Sequence, residues 1–542
     1  LRSIYMRRIQ PLFPIFDEKR LMSLGNNRID RAIKLVVCLA AATDRQAAKP
    51  HLRLEGYPTT PLSYQEFTGK VSQLVRALIE EIDFSNRLLD QIRILGLMAM
   101  YWQPLEEQDW DGPARLFSQA VSIVFSIGLH LEVYDKGCHI PGENDETSVA
   151  AHTPRQPTRE DIERIFLCIF ALDRMMASFY GRPILLNERD FDRDVVKYAA
   201  RQPPIFRLFI LVVWQLNQIQ DLYRPSFRAA SSLQSAEVSV FERLILESGA
   251  QNAPPTMLAT IEVFHHAVCA LSVRQTRQDF ESPPTTGADK PPDYPHLPQP
   301  LLNARRSISA DRILQITKQY DVGPLPFIPY ALSISLSVAY RKWRFSQIPM
   351  FQARGRESFM EILAVLEKWG CVFTSARINY NLAQKVVEGM EKVHDNMKRK
   401  CRDKTPVGDR SGCAPQSGAR SALTMMTNPP SVMIGTRPAA GLPVGTPSGA
   451  YLGNRSLPFS AADQNLDTLQ FGYPSSSSFP ADELTGLNLF NFFDESGADL
   501  DVGLGEMDTL FDRNLDPMAP AFWPAYPSLD PERMEAGAQF YP

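Results

Sequence analysis

The thirty residues from Glu163 to Asp192, ERIFLCIFALDRMMASFYGRPILLNERDFD, decide the fold of this chain. Ile165, Phe166, Ile169, Phe170, Met176 and Phe179 recur near one face of a 3.6-residue period, which predicts an α-helix. Thr158 and Asp161 stand at capping-box spacing just upstream and mark its start. Gly181-Arg182-Pro183 stops it: the glycine tolerates positive φ, and the proline ring cannot continue the helix. An acidic turn follows at Glu188, Asp190 and Asp192. The charged step Asp173-Arg174 sits on an apolar helix and needs partners, and Arg182 offers a planar fork of donors to the acids nearby. Asp173, Arg174, Gly181, Arg182 and Pro183 therefore read as a buried or half-buried ion-pair lock between helix and turn. Catalysis by paired carboxylates is the alternative, but no nucleophile, metal ligand or phosphate loop accompanies them.

Outward from this stretch the pattern stays helical. Leu88, Leu89, Ile92, Leu95, Met98, Ala99 and Trp102 predict a helix over 87–102. Phe117, Ala120, Val121, Val124 and Phe125 predict another over 113–129, with Asp111 as its cap and Pro113 in its first turn. A last helix is expected over 377–400, striped by Ile378, Leu382, Val386, Met390, Val393 and Met397, with Gly389 as a weak point. Strand alternation and hairpin dipeptides are scarce. The fold class is all-α, a multi-helix domain over 1–400. Loops rich in proline are expected at 136–160 and 277–301.

Composition then changes. Residues 403–480 hold nine Gly, ten Pro and eleven Ser, thirty of 78, above the roughly 25–30% typical of low-complexity chain. Too little apolar surface is left to offset ordering entropy, so 401–480 reads as a flexible linker. Residues 482–516 hold ten Asp/Glu and one Arg. Interleaved are Leu487, Leu489, Phe490, Phe492, Phe493, Leu500, Leu504, Met507, Leu510 and Phe511. Acid keeps such a segment solvated and its apolar side chains accessible to a partner's groove. Residues 481–516 thus read as an activation segment, with Phe490, Phe492, Phe493, Leu510 and Phe511 as its anchors. Residues 517–542 complete a disordered C-terminal tail. A helix packed on the body is the plainer reading of the same segment.

Charge follows this division. The net is −4 over 542 residues. Residues 481–542 carry thirteen acids and two Arg, a net of −11, which leaves +7 for the rest. That is an acidic interaction tail on a weakly basic body. Lys398, Arg399, Lys400 and Arg402 form a short basic run, suited to nuclear import or to a solvated helix end. No stretch is apolar enough to span a membrane. The seven cysteines include no Cys-x-x-Cys, so no metal site and no cofactor is expected in the chain. His265 and His266 are adjacent on a predicted helix and point about a hundred degrees apart, unlike an i, i+4 metal pair. His130 reads as a structural residue at a helix end. No Gly-x-Gly-x-x-Gly, Walker lysine, Gly-x-Ser-x-Gly or kinase signature occurs, and the chain is read as not an enzyme.

The order of motifs resembles the middle homology region of fungal zinc-cluster transcription factors. Leu172-Asp173-Arg174 and Gly181-Arg182-Pro183 match that family's helix and turn. Tyr5 and Pro11-Leu12-Phe13-Pro14-Ile15 resemble its opening element, with Gln10 in place of the usual histidine. Gly128-Leu129-His130 matches the end of a further helix, and the likeness spans roughly 5–397. The resemblance implies a nuclear regulator of transcription, most simply an activator of metabolic genes. Its helical domain would regulate, and its acidic tail would recruit transcription machinery or co-activators. In such a family zinc and DNA contacts belong to an N-terminal cysteine module, and homodimers occur. Leu1 in place of Met suggests a truncated start. An interaction protein that modulates another factor is the alternative, and a helical enzyme or metabolite receptor is a third.

Overall fold

A computed structural model describes residues 1–44, 48–54, 61–104, 109, 111–134, 158–222, 238–272, 299–346, 348–403 and 511. All regular structure among them is helical. The helices are α1 (Arg2–Arg8), α2 (Glu18–Met22), α3 (Arg28–Ala42), α4 (Tyr64–Glu81), α5 (Leu88–Tyr101), α6 (Gly112–Ser126), α7 (Arg159–Tyr180) and α8 (Val195–Ala200). They continue as α9 (Pro204–Leu222), α10 (Phe241–Ser248), α11 (Pro255–Leu271), α12 (Gln299–Gln319), α13 (Phe327–Phe345), α14 (Pro349–Gly370) and α15 (Thr374–Asp403). The chain divides into two compact units. Leu1–Asp395 and Phe511 belong to one, and the end of α15, Asn396–Asp403, to the other. The expected linker at 401–480 and tail at 517–542 lie outside the described residues, apart from the end of α15.

Local chemistry explains most helix starts. The side chain of Asn27 accepts from the Asp30 amide at α3. Ser63 with Glu66, and Thr158 with Asp161, close complete capping boxes at α4 and α7. α6 differs from expectation, because Asp111 makes no side-chain cap bond. Its carboxylate is taken instead by Arg182, and Arg115 stands 3.9 Å away. Gly181, at φ 59°, ends α7 in the left-handed conformation that the sequence anticipates.

α7 is the hub. Nearly every residue from Ile162 to Phe179 is buried, so its apolar character runs round the helix. It packs on α5, α6, α8 and α9. The N-terminal element seals one side: Tyr5, Leu12, Phe13, Ile15 and Phe16 are fully buried. Gly96 of α5 leaves room for Ile15 and Ile169, whose tips lie 3.1 and 3.3 Å from where a Cβ would be. On the other flank α11, α12, α13 and α14 pack successively, and α13 and α14 form an antiparallel-type hairpin across residues 346–348. One continuous apolar core runs through all of these helices and includes Phe511.

Candidate functional site

Three stretches singled out by sequence meet around α7. Asp173 is 1% exposed and Arg174 is 0% exposed. They pair with each other. Asp173 also accepts the Leu185 and Leu186 amides at 3.0 and 3.1 Å. Arg174 donates to the Leu186 carbonyl at 2.8 Å and to Asn217 Oδ1 of α9 at 2.6 Å. Its guanidinium lies 4.2 Å from the Phe170 ring centroid. Gln220 of α9 donates to the Arg174 carbonyl at 2.8 Å and to Ser178 Oγ at 2.7 Å. The step thus binds α7 to the turn after Pro183 and to α9. Burial pushes the Asp173 carboxyl up, while Arg174 and the two amides oppose that shift.

Arg182 has a different partner from the one expected. Its guanidinium pairs with Asp111, at the start of α6. The two side chains are 26% and 33% exposed, so this pair is half open to water. Replacing Arg182 by alanine is expected to cost about 1 kcal/mol or less, as for solvent-screened pairs. Thermal unfolding checks this, and a loss comparable to that of a buried pair would contradict it. The acidic turn serves elsewhere. Glu188 accepts from Asn217, and Asp192 accepts the Glu132 amide at 2.6 Å.

Arg193 is a residue the sequence did not mark. It is 2% exposed and donates to the carbonyls of Leu129 and Leu131 at 2.6 and 2.8 Å. It therefore clamps the Gly128-Leu129-His130 turn, where Gly128 has φ 74°. Tyr198 reaches Glu132 at 2.7 Å on the same seam. Nearby, Glu163 is 1% exposed and is held by Arg159 and Arg201. His130 packs edge-on against Phe125, 4.8 Å between centroids, in the structural role expected of it. These are locks between elements.

His265, His266 and Cys269 bring their donor atoms within 4.8 Å of one another on α11. Sequence reading had weighed only the two histidines. Nε2–H of His265 donates to the Ser239 carbonyl at 2.8 Å. Sγ of Cys269 lies 3.7 Å from both ring nitrogens. Burial pulls the His265 pKa down to about 4 and pushes Cys269 up to about 12. The His265 ring packs beside Phe241, with centroids 5.3 Å apart. A crevice lined by Trp102, Met175, Met176, Phe179, Tyr180 and Thr374 has about 20 Å³ of free space. That is room for about one water, far below a metabolite.

The expected activation residues fare unequally. Phe490, Phe492, Phe493 and Leu510 lie outside the described residues. Phe511 is described, and it is not accessible: it is 0% exposed. Its ring stacks on Tyr340 of α13 with centroids 4.2 Å apart and planes at 21°. It meets Phe359 of α14 edge-on at 6.3 Å. Trp343 backs Phe359 at 5.4 Å. The backbone of Lys398, Arg399, Lys400 and Arg402 is helical at the end of α15, and their side chains lie outside the described residues. Among the described residues no helix is long and apolar enough to cross a membrane.

Residues 3–193 match the family model described as the fungal specific transcription factor domain. The match ends on Arg193, the clamp of the Gly128–His130 turn. It encloses all three motif stretches that converge on α7. That family is a transcription factor domain and not an enzyme family. No curated protein and no solved structure matches the chain.

Proposed function

Residues 3–193 being a fungal specific transcription factor domain, we propose that this chain is the regulatory and activating part of a fungal transcription regulator that works in the nucleus. The family match carries the reading. The geometry supports it, because Asp173, Arg174, Glu163 and Arg193 lock helices and turns of this domain together. The helical body regulates. The acidic, aromatic segment at 481–516 recruits transcription machinery or a co-activator by placing apolar anchors in a groove, while its charge favours encounter. Zinc and direct DNA contact belong to a cysteine-rich module that these residues do not contain.

The test is a reporter assay with the chain fused to an unrelated DNA-binding module. Deleting residues 481–516 is expected to bring output down to that of the bare module. Replacing Phe490, Phe492 and Phe493 together by alanine should reduce it strongly. Converting Asp494, Glu495, Asp499 and Asp501 to Asn or Gln should reduce it less, since charge sets encounter more than binding. Output that survives the deletion unchanged would falsify the assignment of activation to this segment.

A further inference from the structure

We infer that the α13–α14 hairpin is a docking surface for this chain's own acidic segment, with Phe511 as the anchor, so that the docked segment is withheld from its partner. The inference rests on the reading of residues 481–516 as activating. Four observations carry it. First, Phe511 is fully buried although it stands 108 positions after the end of α15 at Asp403. It is seated between Tyr340 and Phe359. An apolar side chain from an acidic stretch has found a groove, and that groove is intramolecular.

Second, the same hairpin offers more apolar ground. Phe345, Ile348, Met350, Phe351 and Met360 are 41, 37, 57, 40 and 40% exposed. Five large apolar side chains left in water within sixteen positions mark an interaction face rather than scattered exposure. Third, the charge is complementary. Residues 340–361 carry Arg341, Lys342, Arg344, Arg354 and Arg356 against Glu357 and Glu361, with Lys342 paired to Asp311 and Arg356 to Glu391, whereas residues 482–516 carry ten acids and one Arg. A basic, aromatic hairpin suits an acidic, aromatic occupant. Fourth, the groove is rigidly built. α13 and α14 approach so closely at Gly355 that an added Cβ would lie 2.6 Å from the Trp343 amide nitrogen.

A buried Phe511 cannot enter a co-activator's groove at the same time. Docking on the hairpin and recruitment are therefore alternatives, and whatever weakens the first favours the second. The contact is an inhibitory one that a competing partner must displace.

The experiment uses the full chain fused to an unrelated DNA-binding module. One variant carries Met350→Asp with Phe351→Asp, both exposed on the hairpin, so that the anchor itself is left for the partner. A second carries Arg354→Glu at an exposed position, which leaves the Arg356–Glu391 pair intact. A photoreactive residue at Leu510, beside the anchor, reports docking directly. The expected results are a several-fold rise in reporter output in both variants at equal protein level, and a crosslink from position 510 to the peptide spanning 340–361. Absence of that crosslink overturns the docking surface. A crosslink together with unchanged or lower output in both variants overturns the withholding, provided that deletion of 481–516 still abolishes output. If that deletion changes nothing, the activation reading has failed, and the crosslink alone decides whether the hairpin holds the segment.

Discussion

Asp173→Ala is expected to destabilise the helical domain by about 3–5 kcal/mol, the range for breaking a buried ion pair from one side. Arg174 would keep its charge at 0% exposure. The Leu185 and Leu186 amides, now 3.0 and 3.1 Å from the Asp173 carboxylate, would lose their acceptor. Each buried unpaired donor adds roughly 1–3 kcal/mol of desolvation cost. Asn217 and the Leu186 carbonyl would still hold Arg174 in place, so relief by moving into water is blocked. Asp173→Leu combined with Arg174→Met should be less harmful than Asp173→Ala alone, because a well-packed apolar pair can replace a buried ionic one. Thermal unfolding and soluble yield measure both. A single variant within about 0.5 kcal/mol of the parent, the range of ordinary surface changes, would sink this account of the step.

Gly355→Val should be nearly as damaging. A Cβ there would stand 2.6 Å from the Trp343 nitrogen and 2.9 Å from the carbonyl carbon and Cβ of Lys342. Two of these three atoms are backbone and cannot swing aside like a side-chain tip, so α13 and α14 must separate. Overpacking costs typically about 1–3 kcal/mol, and valine's branched side chain brings further atoms to the same contact. Alanine is milder, since leaving glycine gains back about 1 kcal/mol of helix propensity. The measurement is the thermal midpoint of parent, alanine and valine forms, expected to fall in that order. A valine form as stable as the parent would show that the helices do not meet as closely as described.

Much of the fold was legible because its causes are local. The period of Ile165, Phe166, Ile169 and Phe170, the Thr158–Asp161 box and Gly181 each announce themselves within one or two turns of chain. α5 was expected over 87–102 and spans Leu88–Tyr101, and the helix expected over 377–400 spans Thr374–Asp403. The partners of charged residues were not legible. Asn217 is 43 positions from Arg174, and Asp111 is 71 from Arg182. No spacing rule links residues that only tertiary packing brings together. Asp111 illustrates the confusion: before Gly112 and Pro113 it looks like a cap, yet its carboxylate is taken by an arginine far along the chain. Arg193 was overlooked because an arginine in an acidic stretch, like Arg189 before it, reads as solvated surface. Its two carbonyl acceptors, at 129 and 131, appear only when the Gly128 turn folds back onto it. Phe511 was read as an accessible anchor, with a helix packed on the body as the plainer alternative. Its acidic setting argued for exposure, and nothing in that setting names Tyr340 or Phe359.

The seat of Phe511 has a consequence in reaction order. Anchor and cradle are parts of one chain, so their association is first order, and the docked fraction is independent of how many copies of the protein a cell holds. A competing partner arrives from solution, so its occupancy rises with its own concentration. The threshold is therefore set by the abundance of the partner and not by that of the regulator. Under the proposed docking, raising expression would multiply the total output without changing the output per copy or the partner concentration at which half of the copies respond, as long as the partner stays in excess.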